Sequence, residues 1–203
     1  MSLSRRLRVS LIALATALAT ACAHAPLAQE EAQRMVHPAF VVRVTGKGEG
    51  LGGVPRYELA ERLRAGLFQA LPRKAPWNGR VDPLAVVREL QLLLVQDEAD
   101  AEPDFAALRN VGADGVVDVR VERWGKRPGK DKVPPQVFAE GRARAFLLSG
   151  GTIWSGRVEV QLPAAEGLSE GEQRQLLLEA FTEAGAQVAA GLSPEAAALR
   201  QNR

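Results

Sequence analysis

Three segments in the second half of the chain constrain the fold most. From Val117 on, residues 115–124 alternate valine with a polar or charged residue, which is the pattern of a half-buried β-strand. Two further β-like segments follow at residues 136–148 and 152–162, and the turn between them has the sequence SGG. Strands that follow one another through short links predict an antiparallel meander.

A further strand and two helices are predicted before the meander. Residues 38–45 are rich in β-branched side chains and stop at Gly46, which predicts a strand. Leucines at every fourth position then predict an amphipathic helix that ends near residue 71; they are Leu59, Leu63 and Leu67. Asp82-Pro83 predicts the start of a helix over residues 84–95, although VVRELQLLLV is also compatible with a strand.

Two more helices have clear end signals. A short helix over residues 105–110 is predicted to end at Gly112, which tolerates the left-handed conformation. Ser169 and Glu172 have the spacing of a capping box, and the helix that follows is predicted to end at Gly191 and Pro194. The order β-α-α-β-β-β-α predicts an α+β fold, with helices packed on a mostly antiparallel sheet. We expect one domain over residues 38–192 and a C-terminal tail over residues 193–203.

The amino terminus predicts export. Three arginines precede an apolar run over residues 9–20, which is too short for a stable transmembrane helix and is typical of a signal peptide over residues 1–21. The sequence LATAC before residue 23 resembles the lipobox of bacterial lipoproteins, in which the cysteine is diacylated and becomes the new amino terminus. The resemblance implies lipidation of Cys22, with residues 22–37 as a lipidated tether.

Ordinary cleavage after a small-residue site is the alternative to lipidation. Both ATA at residues 19–21 and AHA at residues 23–25 fit such a site. Cys22 is the only cysteine of the chain, and a lone thiol in an oxidising compartment is a liability unless it is modified. Lipidation is therefore the preferred interpretation.

Removal of the signal peptide changes the charge of the chain. Residues 1–21 contain three arginines and no acidic residue, so 23 basic and 24 acidic residues remain and the formal charge falls from +2 to about −1. Nucleic-acid binding depends on clustered positive charge. We therefore expect no nucleic-acid partner.

Several short motifs, in order along the chain, resemble one family of envelope proteins. They are ELAERL at residues 58–63, VGADGVV at 111–117, ARAFLL at 143–148 and GTIWSG at 151–156. In this order they look like small envelope lipoproteins whose α/β domain is similar to the TolB amino-terminal and curli-secretion lipoprotein domains. The resemblance implies accessory work in secretion, envelope assembly or the regulation of a membrane-bound machine.

The glycines at positions 48, 50 and 53 have the G-x-G-x-x-G spacing of a dinucleotide-binding loop. Such a loop also needs a parallel βαβ unit and an acidic residue about 20 positions later. Here that distance falls at Phe68 and Gln69, inside the predicted helix. We therefore predict a structural turn and no nucleotide cofactor.

Two other patterns predict no metal or catalytic centre. The acidic residues between 97 and 104 lack the order of a calcium loop and fit a solvated connection. His24 and His37 lie in or beside the tether, so no Cys/His metal site or Ser-His triad is expected in the domain. A hydrolase with two converging carboxylates stays open as a weaker alternative.

The densest basic feature is the loop at residues 125–135. Lys126, Arg127, Lys130 and Lys132 lie there among prolines. They form a candidate contact for anionic lipid headgroups, lipopolysaccharide or an acidic partner. The alternative is a solvated hairpin tip.

The sequence thus predicts a non-enzymatic, periplasm-facing lipoprotein of the outer membrane. Ala23 follows the cysteine, where an Asp retains some lipoproteins in the inner membrane, so family analogy favours the outer membrane. We expect it to act as an accessory or scaffold in envelope assembly or secretion, through contacts with envelope proteins or with copies of itself. The alternative function is a binding module for a glycan or another small envelope ligand.

Overall fold

The computed structural model describes residues 26–46, 48–51, 53–71, 77, 79–90, 102–129 and 134–193. The helices in these ranges are α1 (Gln29–Ala32), α2 (Arg56–Ala70), α3 (Pro83–Glu89), a 3-10 helix (Phe105–Val111) and α4 (Glu170–Leu192). The strands are β1 (Pro38–Val44), β2 (Gly48–Glu49), β3 (Gly115–Arg127), β4 (Gln136–Leu147) and β5 (Thr152–Pro163).

These strands form one mixed sheet in the order β1-β3-β4-β5, and β2 pairs with Trp124 and Gly125 near the end of β3. The predicted meander is present, because β3, β4 and β5 pair antiparallel in succession. Strand β1 pairs parallel with β3, and the chain between them contains α2 and α3, the crossover that a parallel pair requires. The α+β prediction is confirmed.

The sheet has a lower end and an upper end. Strands β1 and β3 begin, β4 ends and β5 begins at the lower end, near Gly115 and Thr152. At the upper end, β3 ends at Arg127 and β4 begins at Gln136. Helix α4 finishes at the lower end, where Gly191 lies against the ring of Trp154.

Helices α2 and α4 cover one face of the sheet, the inner face. The leucines of α2 that the sequence identified are fully buried there, together with Leu177, Phe181 and Ala184 of α4. The two helices approach so closely that only glycine fits at the crossing. A Cβ atom at Gly66 would lie 2.0 Å from the carbonyl oxygen of Thr182, and one at Gly185 would lie 2.2 Å from that of Leu63.

The lower half of the opposite face, the outer face, has a smaller apolar cluster. Ala39 and Val41 of β1 and Val116 of β3 pack there against Val86 of α3 and Leu108 of the 3-10 helix. Strand β1 is therefore buried on both faces. The upper half of the outer face is not part of this cluster and carries mainly charged side chains.

Three helix ends follow the predicted chemistry, whereas α4 continues through Gly191 to Leu192 and has Ser193 as its C-cap. Asp82 accepts a hydrogen bond from the N–H of Leu84, and Ser169 and Glu172 form the complete capping box. Gly112 ends the 3-10 helix in the left-handed conformation, with φ of 81°. Helix α3 covers Pro83–Glu89 and has Leu90 as its C-cap, so it ends earlier than the predicted span 84–95; residues 91–95 lie outside the described residues.

Part of the predicted tether belongs to the folded body. Leu27, Ala32 and Met35 are at most 2% exposed and lie in the inner core. The N–H of Leu27 donates to the carbonyl oxygen of Gly191, and the indole N–H of Trp77 donates to that of Ala32. Residues 26–37 therefore pack on the domain, because their apolar side chains fill its core.

Candidate functional site

The outer face carries four arginines in one row across the sheet. The strand register pairs Arg43 with Arg120, Arg120 with Arg142, and Arg142 with Arg157. We call these four residues the arginine row. Because like charges placed directly opposite one another destabilise a sheet, such a row requires acidic groups nearby.

The β1 end of the row is buried and fully paired. Arg43 donates from Nε and Nη2 to the carboxylate of Asp118 at 3.1 and 2.9 Å, and both side chains are about 5% exposed. Nε of Arg144 donates to the same carboxylate at 3.2 Å. A forked arginine–carboxylate contact of this kind fixes the position of both partners.

Glu102 reaches onto this face from the segment before the 3-10 helix. Its carboxylate pairs with Arg144, and it lies 3.4 Å from Nη2 of Arg43 and 3.6 Å from Nη1 of Arg120. Partial burial raises the pKa of Glu102, but the charges of Arg43 and Arg144 and hydrogen bonds from both outweigh that effect and hold the pKa below its usual value. Glu102 therefore stays ionised at neutral pH and joins three arginines.

The β5 end of the row is exposed and incompletely paired. Arg142 contacts Glu122 at 3.2 Å and is 60% exposed, whereas Arg157 makes no ion pair with any described residue. Arg142 lies directly opposite Arg157, and two residues further along the same strands Glu140 lies directly opposite Glu159. The first pair is of two positive charges and the second is of two negative charges. Strand β5 thus faces β4 with two like-charge pairs.

The free edge of β5 lies beside these pairs. Among the described residues, β5 hydrogen-bonds to β4 and to no other strand. The N–H of Glu159 points away from β4, since it donates at 3.0 Å to Oε1 of Gln187 on α4. A long edge strand is a template for pairing with another chain unless it is covered.

The predicted basic contact lies only partly within the described residues. Lys126 and Arg127 belong to β3, which continues into the segment that the sequence assigned to a loop. The guanidinium of Arg127 contacts Glu140 at 2.8 Å and lies over the ring of Phe138. Lys130 and Lys132, like Cys22, lie outside the described residues, so their predicted roles stay predictions.

The glycine-rich segment is explained by close packing. Strand β2 pairs with Trp124 and Gly125, and a Cβ atom at Gly48 would lie 2.4 Å from the Trp124 ring. Gly50 and Gly53 have φ of 66° and 81°, a conformation that glycine adopts without strain. Each glycine of the G-x-G-x-x-G spacing therefore has a steric or conformational role.

The buried indole N–H of Trp124 has no hydrogen-bond acceptor among the described residues.

The described acidic residues 102 and 104 have local roles. Asp104 accepts from the N–H of Ala106 and caps the 3-10 helix, and Glu102 joins the arginines. The backbone N–H of His37 donates to Asp114. Within the described ranges, no three His, Cys, Asp or Glu side chains are grouped as a metal site requires.

Sequence reasoning missed the arginine row. Its signal is visible only as charged residues at alternate positions of β3, β4 and β5, a pattern that any half-exposed sheet shows. The row depends on register, including a bulge between Val121 and Arg123 that shifts the pairing of β3 with β4. Register across strands distant in sequence is not contained in the alternation of one strand.

Comparisons with known proteins find similar solved structures only. No protein-family model matches the chain, and no match is found among curated proteins. The chain is similar to the hypothetical protein CT253 from Chlamydia trachomatis, with 15% identity over 76% of this chain and 99% of that chain and a TM-score of 0.44. It is also similar to lipoprotein GNA1162 from Neisseria meningitidis, with 15% identity over 72% of this chain and 96% of that chain and a TM-score of 0.43.

A third similar structure is the PelC dodecamer from Paraburkholderia phytofirmans. The identity is 15%, the match covers 83% of this chain and 92% of that chain, and the TM-score is 0.41. In the part of the chain that the structure describes, none of the helices has the length and apolar character to span a bilayer.

Proposed function

We propose that this chain is a lipoprotein of the bacterial outer membrane that faces the periplasm and acts as a non-enzymatic accessory or scaffold in envelope assembly or secretion. The observation that carries the proposal is the closeness of Cys22 to the folded body. Cys22 precedes Leu27 by five residues, and Leu27 is already buried in the core. The folded body therefore begins almost directly after the acylated residue.

This closeness orients the body on the membrane. Five residues span at most about 18 Å, and the N–H of Leu27 is bonded to Gly191 at the lower end of the sheet. Strand β3 has thirteen residues, which cover about 40 Å at the usual rise of a strand. The lower end faces the anchoring bilayer, and Lys126 and Arg127 lie at the opposite end of β3.

The orientation selects between the predicted partners of the basic residues. Lys126, Arg127, Lys130 and Lys132 are assigned to an acidic partner in the periplasm or on the opposing envelope surface. Headgroups of the anchoring leaflet lie at the other end of the domain. Protein contacts at the upper end are the mode of action that we assign to the scaffold.

The charge state of the outer face supports a binding role over acid catalysis. A general acid that works near neutral pH needs a raised pKa. The pKa of Glu102 is lowered instead, and Asp118 is bound by Arg43 and Arg144. These carboxylates act as structural and binding charges.

The anchor is tested by membrane flotation of the full chain and of Cys22→Ser. We expect the unmodified chain to float with the membranes, with a labelled acyl chain attached, and the variant to stay in the soluble fraction. Thr20→Ser, two positions away, is the matched control and should float. A Cys22→Ser chain that floats like the control overturns the anchor.

The scaffold role is tested by crosslinking the lipidated chain in intact cells, followed by pull-down. We expect envelope proteins to be captured through the upper end, and fewer of them after Lys126→Glu combined with Arg127→Glu. Recovery of the chain alone as a monomer, together with a rise in Tm on addition of purified envelope glycans, would contradict the scaffold and favour a glycan-binding module.

A further inference from the structure

The free edge of β5 carries a charge pattern that is complementary to itself. Its outward side chains are, in order, Ser155, Arg157, Glu159 and Gln161, and the inward residue Val158 lies at the centre of the series. We propose that β5 pairs antiparallel with β5 of a second copy, about a two-fold axis at Val158, and so joins the two sheets into one.

Backbone direction permits this register. The N–H of Glu159 points to the free edge, because it donates to Gln187 rather than to β4. Alternate residues of a strand point the same way, so the backbone groups of Ser155, Arg157 and Gln161 also face the edge. A two-fold axis at Val158 pairs Arg157 with Glu159 and Ser155 with Gln161. The backbone N–H and C=O groups that face the edge in one copy therefore lie opposite those that face the edge in the other copy.

The side chains agree with the same register on both faces. Arg157 of each copy lies opposite Glu159 of the other, and Ser155 lies opposite Gln161. On the inner face, Val158 meets its own copy, Gly156 meets Val160, and Trp154 meets Leu162. Moving the axis to residue 157 or 159 places Arg opposite Arg or Glu opposite Glu, and an axis at 156 or 160 leaves both charges opposite neutral residues.

A second copy also resolves the like-charge pairs within one chain. Arg157 lies opposite Arg142, and Glu159 lies opposite Glu140. Like charges placed directly opposite one another destabilise a sheet. Glu140 contacts Arg123 and Arg127, and Arg142 contacts Glu122, so Arg157 is the member of the two pairs that has no opposite charge among the described residues. In the dimer, Arg157 of each copy gains Glu159 of the other copy as an opposite charge. The described part of a single chain supplies no such partner to Arg157.

Helix α4 is compatible with the pairing. It packs on β4 and β5, so two copies of α4 would lie side by side about 10 Å apart, a normal distance for packed helices. One hydrogen bond must change. The N–H of Glu159 donates to Gln187 in the single chain, whereas in the dimer it would donate to the carbonyl oxygen of Arg157 of the second copy. Gln187→Ala is therefore expected to tighten the dimer several-fold.

Charge exchange tests the pairing with the full chain purified from membranes in detergent, with sedimentation as the measurement. Arg157→Glu alone and Glu159→Arg alone each create two like-charge pairs, and we expect self-association at least about tenfold weaker. Equimolar mixing of the two variants restores opposite charges at every position, so a heterodimer should form with the affinity of the unmodified chain. Arg62→Glu, an exposed arginine on α2 away from β5, is the charge-matched control.

The outcomes separate cleanly. A monomeric unmodified chain, single variants that associate normally, or a mixture that stays monomeric each overturn the proposal. Dimerisation does not depend on the lipid anchor, so Cys22→Ser should associate as the unmodified chain does. A failure of the anchor therefore leaves the dimer intact, and a failure of the dimer leaves membrane flotation intact.

Disulfide formation tests the register itself. Val158 is the only residue of β5 that meets its own copy, so Val158→Cys should give a covalent dimer on non-reducing gels, at a Cα separation that a disulfide accepts. Val160→Cys, on the same face of the same strand, meets Gly156 and should give none above the unmodified chain. Equal crosslinking of both variants, or none of either, contradicts an axis at Val158.

Discussion

On the inner face of the sheet two helices cross so closely that only glycine fits between them, whereas on the outer face arginines and carboxylates hold one another in place. The inner face tolerates no added atom at Gly185 and contains almost only apolar side chains. The outer face is apolar only where α3 and the 3-10 helix cover it. Close apolar packing thus holds the inner face together and ion pairs hold the outer face, although the same strands contribute side chains to both.

The largest effect should come from breaking the charged side. Asp118→Ala leaves the buried guanidinium of Arg43 without its forked partner, and removal of one member of a buried ion pair costs about 3–5 kcal/mol. Urea unfolding of the variant measures the loss. Because Glu102 lies 3.4 Å from Arg43, the lower end of that range is expected.

The double substitution Arg43→Met with Asp118→Leu sharpens the same test. Replacing both charges with apolar groups of similar size leaves no unpaired charge, so most of the stability should return. If the double variant is as unstable as Asp118→Ala, the outer face depends on more than this pair.

The next largest effect should come from the inner side. Gly185→Ala places a Cβ atom 2.2 Å from a backbone oxygen of α2, which cannot move without shifting the helix. Overpacking of this kind costs about 1–3 kcal/mol. Gly171→Ala in the first turn of the same helix meets no atom within 4 Å and should instead be neutral or stabilise by about 0.5–1 kcal/mol. Equal Tm values for the two variants would contradict a close helix crossing.

The smallest effect concerns the pH dependence of the charged side. Because the arginines lower the pKa of Glu102 in the folded state, its contribution is complete above the ordinary pKa of about 4.3 and is lost as the pH falls through the lower folded pKa. Glu102→Gln should remove that loss below about pH 4.3. At neutral pH it should cost less than about 1 kcal/mol, since the carboxylate is half exposed and screened. Stability curves from pH 3 to 7 for both chains measure the difference.

The inner side was the more predictable of the two from sequence. Leu59, Leu63 and Leu67 recur with the period of a helix, and all three are fully buried in α2. The capping box at Ser169 and the glycine at position 112 are local signals, and both act as predicted. Local chemistry fixes such elements because their partners are a few residues away.

The outer side and the first residues depend on distant partners. Arg43 meets Asp118 only because β1 pairs parallel with β3, and nothing near Arg43 in sequence indicates that neighbour. Leu27 and Met35 look like part of a tether because their short segment has little periodicity, yet they fill gaps in the core. Strand register and long-range packing therefore account for the candidate site that sequence reasoning missed.

The hydrogen bond from Leu27 to Gly191 has a consequence for how the chain folds. It connects the first described residues to the last turn of α4, so the two ends of the domain close on each other. Contacts between residues so far apart in sequence are slow to form, because a long loop must close before they stabilise anything. We expect the domain to finish folding only after its last helix has been made, and a nascent chain cut short before residue 191 to leave its first residues undocked.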